Sequence, residues 1–336
     1  MSKQFLIVGG GSMGKRRTRC LLANQVPPES IRIVDVREDR RAECREMHRV
    51  EGFASLDEGL QWNPDVVFAS VPGALHLPVC MAAARAGKHI FCEVPLSVNL
   101  DGLEELARIV AEKKLLLAPG CQPPFHPLYR QLKEWIAAPD FGRTLMVTEI
   151  FGQYLPDWHP YEDYRSFYAA SQKLGGCNMD VVAQQATLLN WLLGDGIREV
   201  FCRGHKLSTL EIDGPDALQI LTSMRGGTVV TQQYDLIQRA GFHSMRIISE
   251  QATLEYNPSA GNVRRYLAST KAWETVNKPE GFQYEQCYID ETALFLSCLE
   301  GKAQWHIPFE TAVSIVRFLL AIQQSAASGE AVGITA

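Results

Sequence analysis

Residues 5–14 read Phe5-Leu6-Ile7-Val8-Gly9-Gly10-Gly11-Ser12-Met13-Gly14. A short apolar strand therefore runs directly into a G-x-G-x-x-G turn. The next apolar run ends in Asp35, which follows Gly14 by 21 residues. This order of strand, glycine turn and distant acid is typical of a dinucleotide-binding βαβ unit. A glycine-rich turn in some other α/β protein would explain the glycines but not the acid.

The positions in this turn have separate physical roles. Gly9 permits the tight turn, Gly11 lets the backbone approach a pyrophosphate, and Gly14 lets the helix pack closely on the strand. The N–H groups at the start of the helix, with the helix dipole behind them, favour a phosphate charge. Asp35 would accept hydrogen bonds from the adenosine ribose and repel a 2′-phosphate, which favours NAD. Arg37 could stack on adenine or pair with that phosphate, so NADP stays open.

Length and composition exclude several classes of protein. A chain of 336 residues with 46% hydrophobic and 21% charged residues suits a globular protein of two domains. Its net charge of −5 gives no reason to expect nucleic acid or an anionic membrane as a partner. The apolar runs are too short to span a bilayer or to form a signal peptide. The nine cysteines contain no C-x-x-C pair, so we expect reduced thiols, no metal and a cytoplasmic location.

Strand and helix signals alternate through the first 120 residues, which predicts a Rossmann domain with a doubly wound parallel sheet. From about Thr144 strand signals follow one another, and this change predicts an α+β domain with a large, mostly antiparallel open sheet. Its expected strands are 145–150, 199–203, 217–222, 228–234, 245–249 and 252–256. The predicted domains are 1–121 and 122–336, with helices at 181–193 and at about 309–327.

Two segments of the first domain carry a more specific pattern. One is Ser70-Val71-Pro72-x-x-x-His76, and the other is Gly87-Lys88-His89-Ile90-Phe91-Cys92-Glu93-Val94-Pro95. Together with segments 125–127, 141–142, 174–180 and 191–194, they make the chain similar to the Gfo/Idh/MocA family of NAD(P)-dependent oxidoreductases. The resemblance covers most of the chain. It implies a cofactor-binding first domain and a substrate-binding second domain.

The turn and the resemblance together assign a set of residues to the cofactor: Gly9, Gly11, Ser12, Met13, Gly14, Asp35, Arg37, Ser70, Val71, Pro72, His76, Glu93 and Val94. Two of these have a structural alternative. His76 could be a structural histidine at a helix start, and Glu93, expected beside the nicotinamide ribose, could be a strand-end carboxylate in a salt bridge. The basic run 15–17 could assist the phosphates or form a solvated helix face.

The chain departs from the family at two positions. The lysine of the family's Glu-Lys-Pro segment is Val94 here, and the histidine expected four residues after Asp180 is Gln184. Neither side chain has a titratable proton, so neither can perform the acid/base role that the resemblance implies. Asp180 remains as a catalytic candidate, although it could instead cap the helix that follows it.

A replacement proton donor is expected in the segment 154–165, which faces the nicotinamide in the resembling family. His159 titrates near neutrality, and Tyr154, Tyr161 or Tyr164 could act if its pKa were lowered. Of these, His159 and Tyr164 are the catalytic candidates. Substrate-binding candidates are Trp158, Arg165 and Gln184, with Trp158 offering a face to a sugar ring and Arg165 a fork to a carboxylate or phosphate. The structural alternatives are that Trp158 plugs the loop onto the core and that His159 is structural or exposed.

These features predict hydride transfer between a nicotinamide and a small polar substrate, in a cleft between the domains. The substrate would be a sugar, an amino sugar, a sugar nucleotide or a related keto or imino compound. Two alternatives follow from Val94 and Gln184: a cofactor-binding sensor or scaffold without catalysis, and an enzyme that re-uses bound NAD in a net non-redox reaction. The resemblance also implies a homodimer or homotetramer formed through the sheet of the second domain.

Overall fold

The computed structural model describes residues 3–335, which form two compact units. The first contains residues 3–122 and 284–313, and the second contains residues 123–283 and 314–335. The sequence-based division placed everything after residue 121 in one domain, whereas segment 284–313 returns to the first unit. Residues 1, 2 and 336 of the predicted domains lie outside the described part. Among residues 3–335, no helix is long and apolar enough to cross a membrane.

The first unit is built on six parallel strands: Phe5–Val8 (β1), Ile31–Val34 (β2), Glu51–Phe53 (β3), Val66–Ala69 (β4), His89–Cys92 (β5) and Leu117–Pro119 (β6). The helices between them are Ser12–Ala23 (α1), Glu38–His48 (α2), Leu56–Gln61 (α3), His76–Arg85 (α4) and Leu103–Glu112 (α5). The strand order is β3-β2-β1-β4-β5-β6. The predicted doubly wound Rossmann sheet is thus confirmed.

The strand order reverses between β1 and β4. Loops leaving the carboxyl ends of these two strands run in opposite directions and open a crevice, which is where ligands bind in sheets of this type. The glycine turn follows β1, and Ser70 follows β4. Fully buried apolar side chains in β1 and β4 hold both strand ends in the core, so the rim of this crevice rests on a rigid base.

The second unit has a nine-stranded sheet. Its elements begin with Pro127–Ala137 (α6), Thr144–Tyr154 (β7) and Met179–Leu193 (α7). They continue with Ile197–His205 (β8), Ala217–Met224 (β9), Val229–Asp235 (β10), Ile237–Ser249 (β11), Ala252–Asn257 (β12), Asn262–Leu267 (β13) and Ala272–Asn277 (β14). In chain order the remaining elements are Glu285–Leu299 (α8), Phe309–Ser328 (α9) and Val332–Gly333 (β15), with α8 in the first unit.

The sheet order is β14-β13-β12-β11-β7-β10-β9-β8-β15, and only the β7–β10 pair among these is parallel. The predicted mostly antiparallel α+β domain is therefore confirmed. Strand β14, which the sequence did not reveal, is an edge strand with five exposed residues out of six. It lacks the alternation of apolar and polar residues that marks a half-buried strand.

Residues that pair in register share one face of this sheet. One face carries buried side chains such as Val147, Val230 and Leu254. The opposite face carries five exposed large apolar side chains: Met146, Leu221, Val229, Phe242 and Trp273. Each of these five side chains is between 37% and 46% exposed, so apolar surface on this face of the sheet is accessible to solvent.

Candidate active site

The glycine turn leaves no room for side chains at two of its positions. Gly9 has φ +104°, and a Cβ atom added there would lie 2.4 Å from the carbonyl oxygen of Ser70. A Cβ at Gly14 would lie 1.7 Å from the carbonyl oxygen of Gly9. At Gly11, in contrast, the nearest atom would be 3.7 Å away, on Arg40. The backbone around Gly11 is therefore open on the side where a ligand can approach.

The rim of the crevice also has unused hydrogen-bonding groups. Helix α1 has no side-chain cap and no acid in its first turn, so its first N–H groups, including those of Ser12 and Met13, are not blocked by a carboxylate. The Ser70 hydroxyl is buried and has no hydrogen-bond partner among the described residues. A buried hydroxyl is normally paired, so Ser70 points to a ligand or solvent atom at the end of β4.

Asp35 lies at the end of β2, where the sequence placed it. Its Oδ2 accepts a hydrogen bond from the Gly10 amide at 2.7 Å, and its Oδ1 accepts one from the Arg37 amide at 2.9 Å. The Arg37 side chain turns to Asp39 in a two-pronged ion pair, which lowers the pKa of Asp39 to about 2. A 2′-phosphate at this corner would meet the carboxylates of Asp35 and Asp39 and also the guanidinium of Arg40, whose Nη1 lies 3.6 Å from Asp35 Oδ2. The preference for NAD over NADP therefore stays a prediction.

His76 supports the two turns that follow β4 and β5. The ring is 2% exposed, with Nδ1 lying 2.6 Å from the carbonyl oxygen of Pro95 and Nε2 lying 2.8 Å from that of Val71. Burial lowers the pKa of His76, while the hydrogen bonds to the carbonyl oxygens of Pro95 and Val71 oppose that shift. The His76 ring thus links the main chain at Val71 to that at Pro95, next to the half-buried Val94, in agreement with its structural interpretation.

Glu93 takes part in a buried ion triad. Arg17, one turn beyond Gly14 on α1, donates from Nε and Nη2 to both carboxylate oxygens of Glu93, at 2.6 and 3.0 Å. Its Nη1 donates to Glu291 on α8 at 2.6 Å, and Glu291 also accepts from the Cys121 amide. The salt-bridge interpretation of Glu93 therefore holds, while 15% of its side chain stays exposed at the end of β5.

Helix α8 joins the first unit through Glu291, which pairs with Arg17, and through Phe295, which lies in the apolar core with Phe68 and Phe91. Arg17 is 0% exposed, and its guanidinium lies 4.3 Å from the centre of the Phe91 ring. Burial alone would lower the pKa of Arg17, but the carboxylates of Glu291 and Glu93 outweigh it and raise that pKa well above its usual value. A buried cation needs such partners, because removing it from water is unfavourable by several kcal/mol.

The other members of the basic run also form ion pairs. Lys15 contacts Glu43 on α2 at 2.8 Å, and Arg16 contacts Glu285 on α8 at 3.0 Å. These pairs direct both side chains along the flanks of α1. The basic run 15–17 thus connects α1 to neighbouring elements through ion pairs. From the sequence, only phosphate binding or a solvated helix face was expected for this run.

In the second unit, Asp180 meets a tyrosine that sequence reasoning missed. The Tyr168 hydroxyl donates a hydrogen bond to Asp180 Oδ2 at 2.9 Å. The other oxygen, Oδ1, is buried without a hydrogen-bond partner within residues 3–335. Burial raises the pKa of Asp180, and the Tyr168 hydroxyl opposes that rise. Gln184 lies one turn further along α7 and is half-buried.

Trp158 packs as its structural alternative predicted. It lies against an apolar cluster formed by Leu155, Ala169, Ala170, Leu210 and Leu236. Its ring also contacts Phe167, with ring centres 6.4 Å apart. The indole therefore fixes the loop after β7 to the core, and only part of its face is available for a sugar ring.

The three polar candidates of this loop have local partners. His159 Nδ1 lies 2.9 Å from the Tyr161 hydroxyl, and the Tyr164 hydroxyl accepts from the Glu211 amide at 3.1 Å. Arg165 donates to Asp163 and to Glu211, so an incoming carboxylate or phosphate would have to displace two acids. None of these hydrogen bonds reaches Asp180, and the catalytic and substrate-binding roles of His159, Tyr164, Arg165 and Gln184 stay predictions.

The missed residues differ in the signal that they leave in the sequence. The buried role of Arg17 depends on Glu291, which is far away in the chain, so local spacing gives no indication of it. Tyr168 lies among short 3-10 turns between the predicted loop 154–165 and the glycine-rich segment 174–180, and nothing in this stretch marks it in the sequence.

Within residues 3–335, no group of three or more His, Cys, Asp or Glu side chains is placed to hold a metal ion.

Comparison with known proteins identifies relatives of both units. The family model "Oxidoreductase family, NAD-binding Rossmann fold" matches residues 3–121, and that of the GFO/IDH/MocA C-terminal domain matches residues 129–255. The uncharacterized oxidoreductase YrbE of Bacillus subtilis is 25% identical, covering 99% of this chain and 98% of that protein. The 1,5-anhydro-D-fructose reductase of Ensifer adhaerens is 25% identical, covering 82% of each chain.

Among solved structures, levoglucosan dehydrogenase in complex with NADH and levoglucosan has the same fold. The superposition has a TM-score of 0.87 at 18% identity and covers 100% of both chains.

The residues of the first unit fit NAD: the open backbone at Gly11, the uncapped start of α1 and the unpaired Ser70 hydroxyl all border the crevice. Gly9, Gly11, Ser12, Met13 and Gly14 would hold the pyrophosphate, and Asp35 the adenosine ribose.

The ion triad gives a prediction on stability. Replacing Arg17 with Met leaves Glu93 and Glu291 facing each other without a cation, so we expect the free energy of unfolding to fall by about 3–5 kcal/mol. The matched control is Arg19→Met, which removes an exposed ion pair with Glu285 and should lower it by less than about 1 kcal/mol. Urea unfolding followed by circular dichroism measures both values. Equal, small losses would contradict a structural role for the triad.

Proposed function

Because this chain belongs to the Gfo/Idh/MocA family of NAD-dependent oxidoreductases, we propose that it oxidises or reduces a carbohydrate at an alcohol, ketone or imine carbon. The substrate class is a sugar, an amino sugar, a sugar nucleotide or a related keto or imino compound. The observation that carries the proposal is the crevice of the first unit, whose glycine turn, Asp35 and unpaired Ser70 hydroxyl suit a dinucleotide.

The relatives support a carbohydrate as the substrate. One is named as a reductase of 1,5-anhydro-D-fructose, and another is a dehydrogenase solved with NADH and levoglucosan. Both names describe small, uncharged, hydroxyl-rich rings. The nicotinamide supplies hydride chemistry when it is bound, so the protein has to position the substrate and to move one proton. The cytoplasmic location expected from the sequence stays a prediction.

A turnover assay tests the proposal. We expect the purified protein, mixed with NADH or NADPH and a panel of ketosugars, imines and nucleotide sugars, to oxidise the cofactor with at least one of them at about 1 s⁻¹ or faster. Cofactor absorbance measures this, and mass spectrometry of the panel detects conversion without a net change in cofactor. Conversion of that kind would indicate re-use of bound NAD. Tight cofactor binding with no conversion would indicate a sensor or scaffold.

Cofactor choice gives a second prediction. Replacing Asp35 with Ala removes the acceptor for the ribose hydroxyls and should weaken NADH binding about tenfold, or ~1.4 kcal/mol, with a smaller effect on NADPH. Asp39→Ala is the matched control on the same corner, because it removes an exposed carboxylate and leaves NADH affinity nearly unchanged. Fluorescence titration gives the ratio of the two dissociation constants. A larger loss for NADPH than for NADH in Asp35→Ala would refute the assignment.

We further propose that the exposed apolar face of the second unit's sheet joins copies of this chain into a homodimer or homotetramer. Light scattering should then give two or four times 37.5 kDa. Leu221→Lys places a charge on this face and should shift the mass towards one chain. The control is Leu207→Lys, at an equally apolar exposed residue outside the strands. An unchanged mass for Leu221→Lys, or a monomeric wild type, would contradict this assembly.

A further inference from the structure

The contact between Tyr168 and Asp180 is produced by the glycine-rich segment. A Cβ atom at Gly176 would lie 2.4 Å from the carbonyl oxygen of Tyr168, so only glycine allows the chain to lie against that backbone. The Cys177 amide donates to the carbonyl oxygen of Ala169 at 2.8 Å and locks the approach. The same return of the chain starts α7 and brings Asp180 under the Tyr168 hydroxyl.

The two residues have complementary chemistry. Tyr168 is partly exposed and holds a proton on its hydroxyl, while Asp180 accepts from it and has a second oxygen closed off from other partners. The backbone amides of Val181 and Asp180 and the Tyr168 hydroxyl stabilise the anion of Asp180, but the burial of the carboxylate outweighs them and favours uptake of a proton. Burial raises the pKa of Asp180, in agreement with this view of the carboxylate.

We propose that Tyr168 and Asp180 form the proton-transfer pair of this enzyme, with Tyr168 as the catalytic residue in contact with the substrate and Asp180 acting through it. This inference rests on the proposed oxidoreductase function. It assigns to a tyrosine–aspartate pair the task that Val94 and Gln184 cannot perform.

The proton step balances within the pair. When an alcohol is oxidised, its O–H bond breaks and a new O–H bond forms at the Tyr168 oxygen, while the phenolic proton moves to Asp180 Oδ2. The negative charge thereby passes from Asp180 to the substrate oxygen, and no separate phenolate is formed. The substrate anion then loses its hydride in the redox reaction proposed above. Reduction runs through the same bonds in reverse, with neutral Asp180 as the source of the proton.

The rival donors of the segment are less suited to this step. The His159 ring packs on Phe167 with ring centres 4.6 Å apart, and its Nδ1 lies 2.9 Å from the Tyr161 hydroxyl. The Tyr164 hydroxyl already accepts a backbone hydrogen bond and is flanked by Arg165. Among the described residues, Tyr168 is the one whose hydroxyl donates to the Asp180 carboxylate.

The test compares variants with the substrate found in the turnover panel. We expect Tyr168→Phe to lower kcat by about 10²–10⁴-fold with an unchanged dissociation constant for NADH. Tyr266→Phe, which removes the same oxygen from a tyrosine on β13, should stay within about twofold of the wild type. His159→Asn is measured alongside as the variant of the rival proton donor.

The role of Asp180 needs a readout that a purely structural residue would not move. If the two residues act as a unit, the Tyr168→Phe/Asp180→Asn double variant should lose no more activity than the worse single variant. The acid limb of the kcat/KM profile for oxidation, where Asp180 must be ionised, should disappear in Asp180→Asn. Additive losses with an unchanged acid limb would overturn the coupling.

The outcomes separate this inference from the function on which it rests. A wild type that turns over while Tyr168→Phe keeps full activity overturns the proton-transfer pair and leaves the oxidoreductase standing. A loss confined to His159→Asn does the same and moves the proton to His159. A wild type without turnover on the panel removes both proposals together.

Discussion

The buried charge of Arg17 is the constraint on which the cofactor-binding unit depends. A fully buried guanidinium is stable only with carboxylates around it, and Arg17 takes one from the end of β5 and one from α8. Glu93 is thereby fixed beside the turn that leads to Val94, while Glu291 ties a late segment of the chain to α1. The same helix begins at the glycine turn, so the ion triad links the helix behind that turn to the end of β5 and to α8.

The parts of the fold that depend on local spacing were predictable from the sequence. The glycine turn is one case, because Gly9 and Gly14 are required by backbone contacts within a few residues and across one strand. The parallel and antiparallel sheets follow from the alternation of elements. Helix α8 was not predictable in this way, since its partner Arg17 lies in the first helix of the chain. Strand β14 was missed because its exposed side chains give no periodic signal.

The candidate site shows the same division. Asp35 and Ser70 lie at strand ends where the motif placed them, whereas Trp158 took the structural role that the sequence had left open. Tyr168 could not be singled out, because its importance comes from a contact with Asp180 that the packing of Gly176 creates. Residue type alone gave no reason to prefer Tyr168, which lies outside segment 154–165, over the tyrosines inside it.

The two units thus differ in how closely they follow the family. The first retains the features expected of a dinucleotide site, apart from Val94. The second lacks the expected histidine at Gln184, and its remaining acid is paired with a phenol. We therefore expect this chain to differ from the family pattern in the chemistry of proton transfer and not in the binding of the cofactor.

A rescue experiment tests most directly whether Tyr168 supplies the proton that Gln184 cannot supply. Gln184→His, introduced into Tyr168→Phe, restores a titratable group one turn from Asp180, where the resembling family has its histidine. We expect kcat to recover by at least about tenfold over Tyr168→Phe, with the pH dependence of an imidazole. If the double variant is as inactive as Tyr168→Phe while its NADH affinity is intact, the lack of a proton donor is not what limits kcat in Tyr168→Phe.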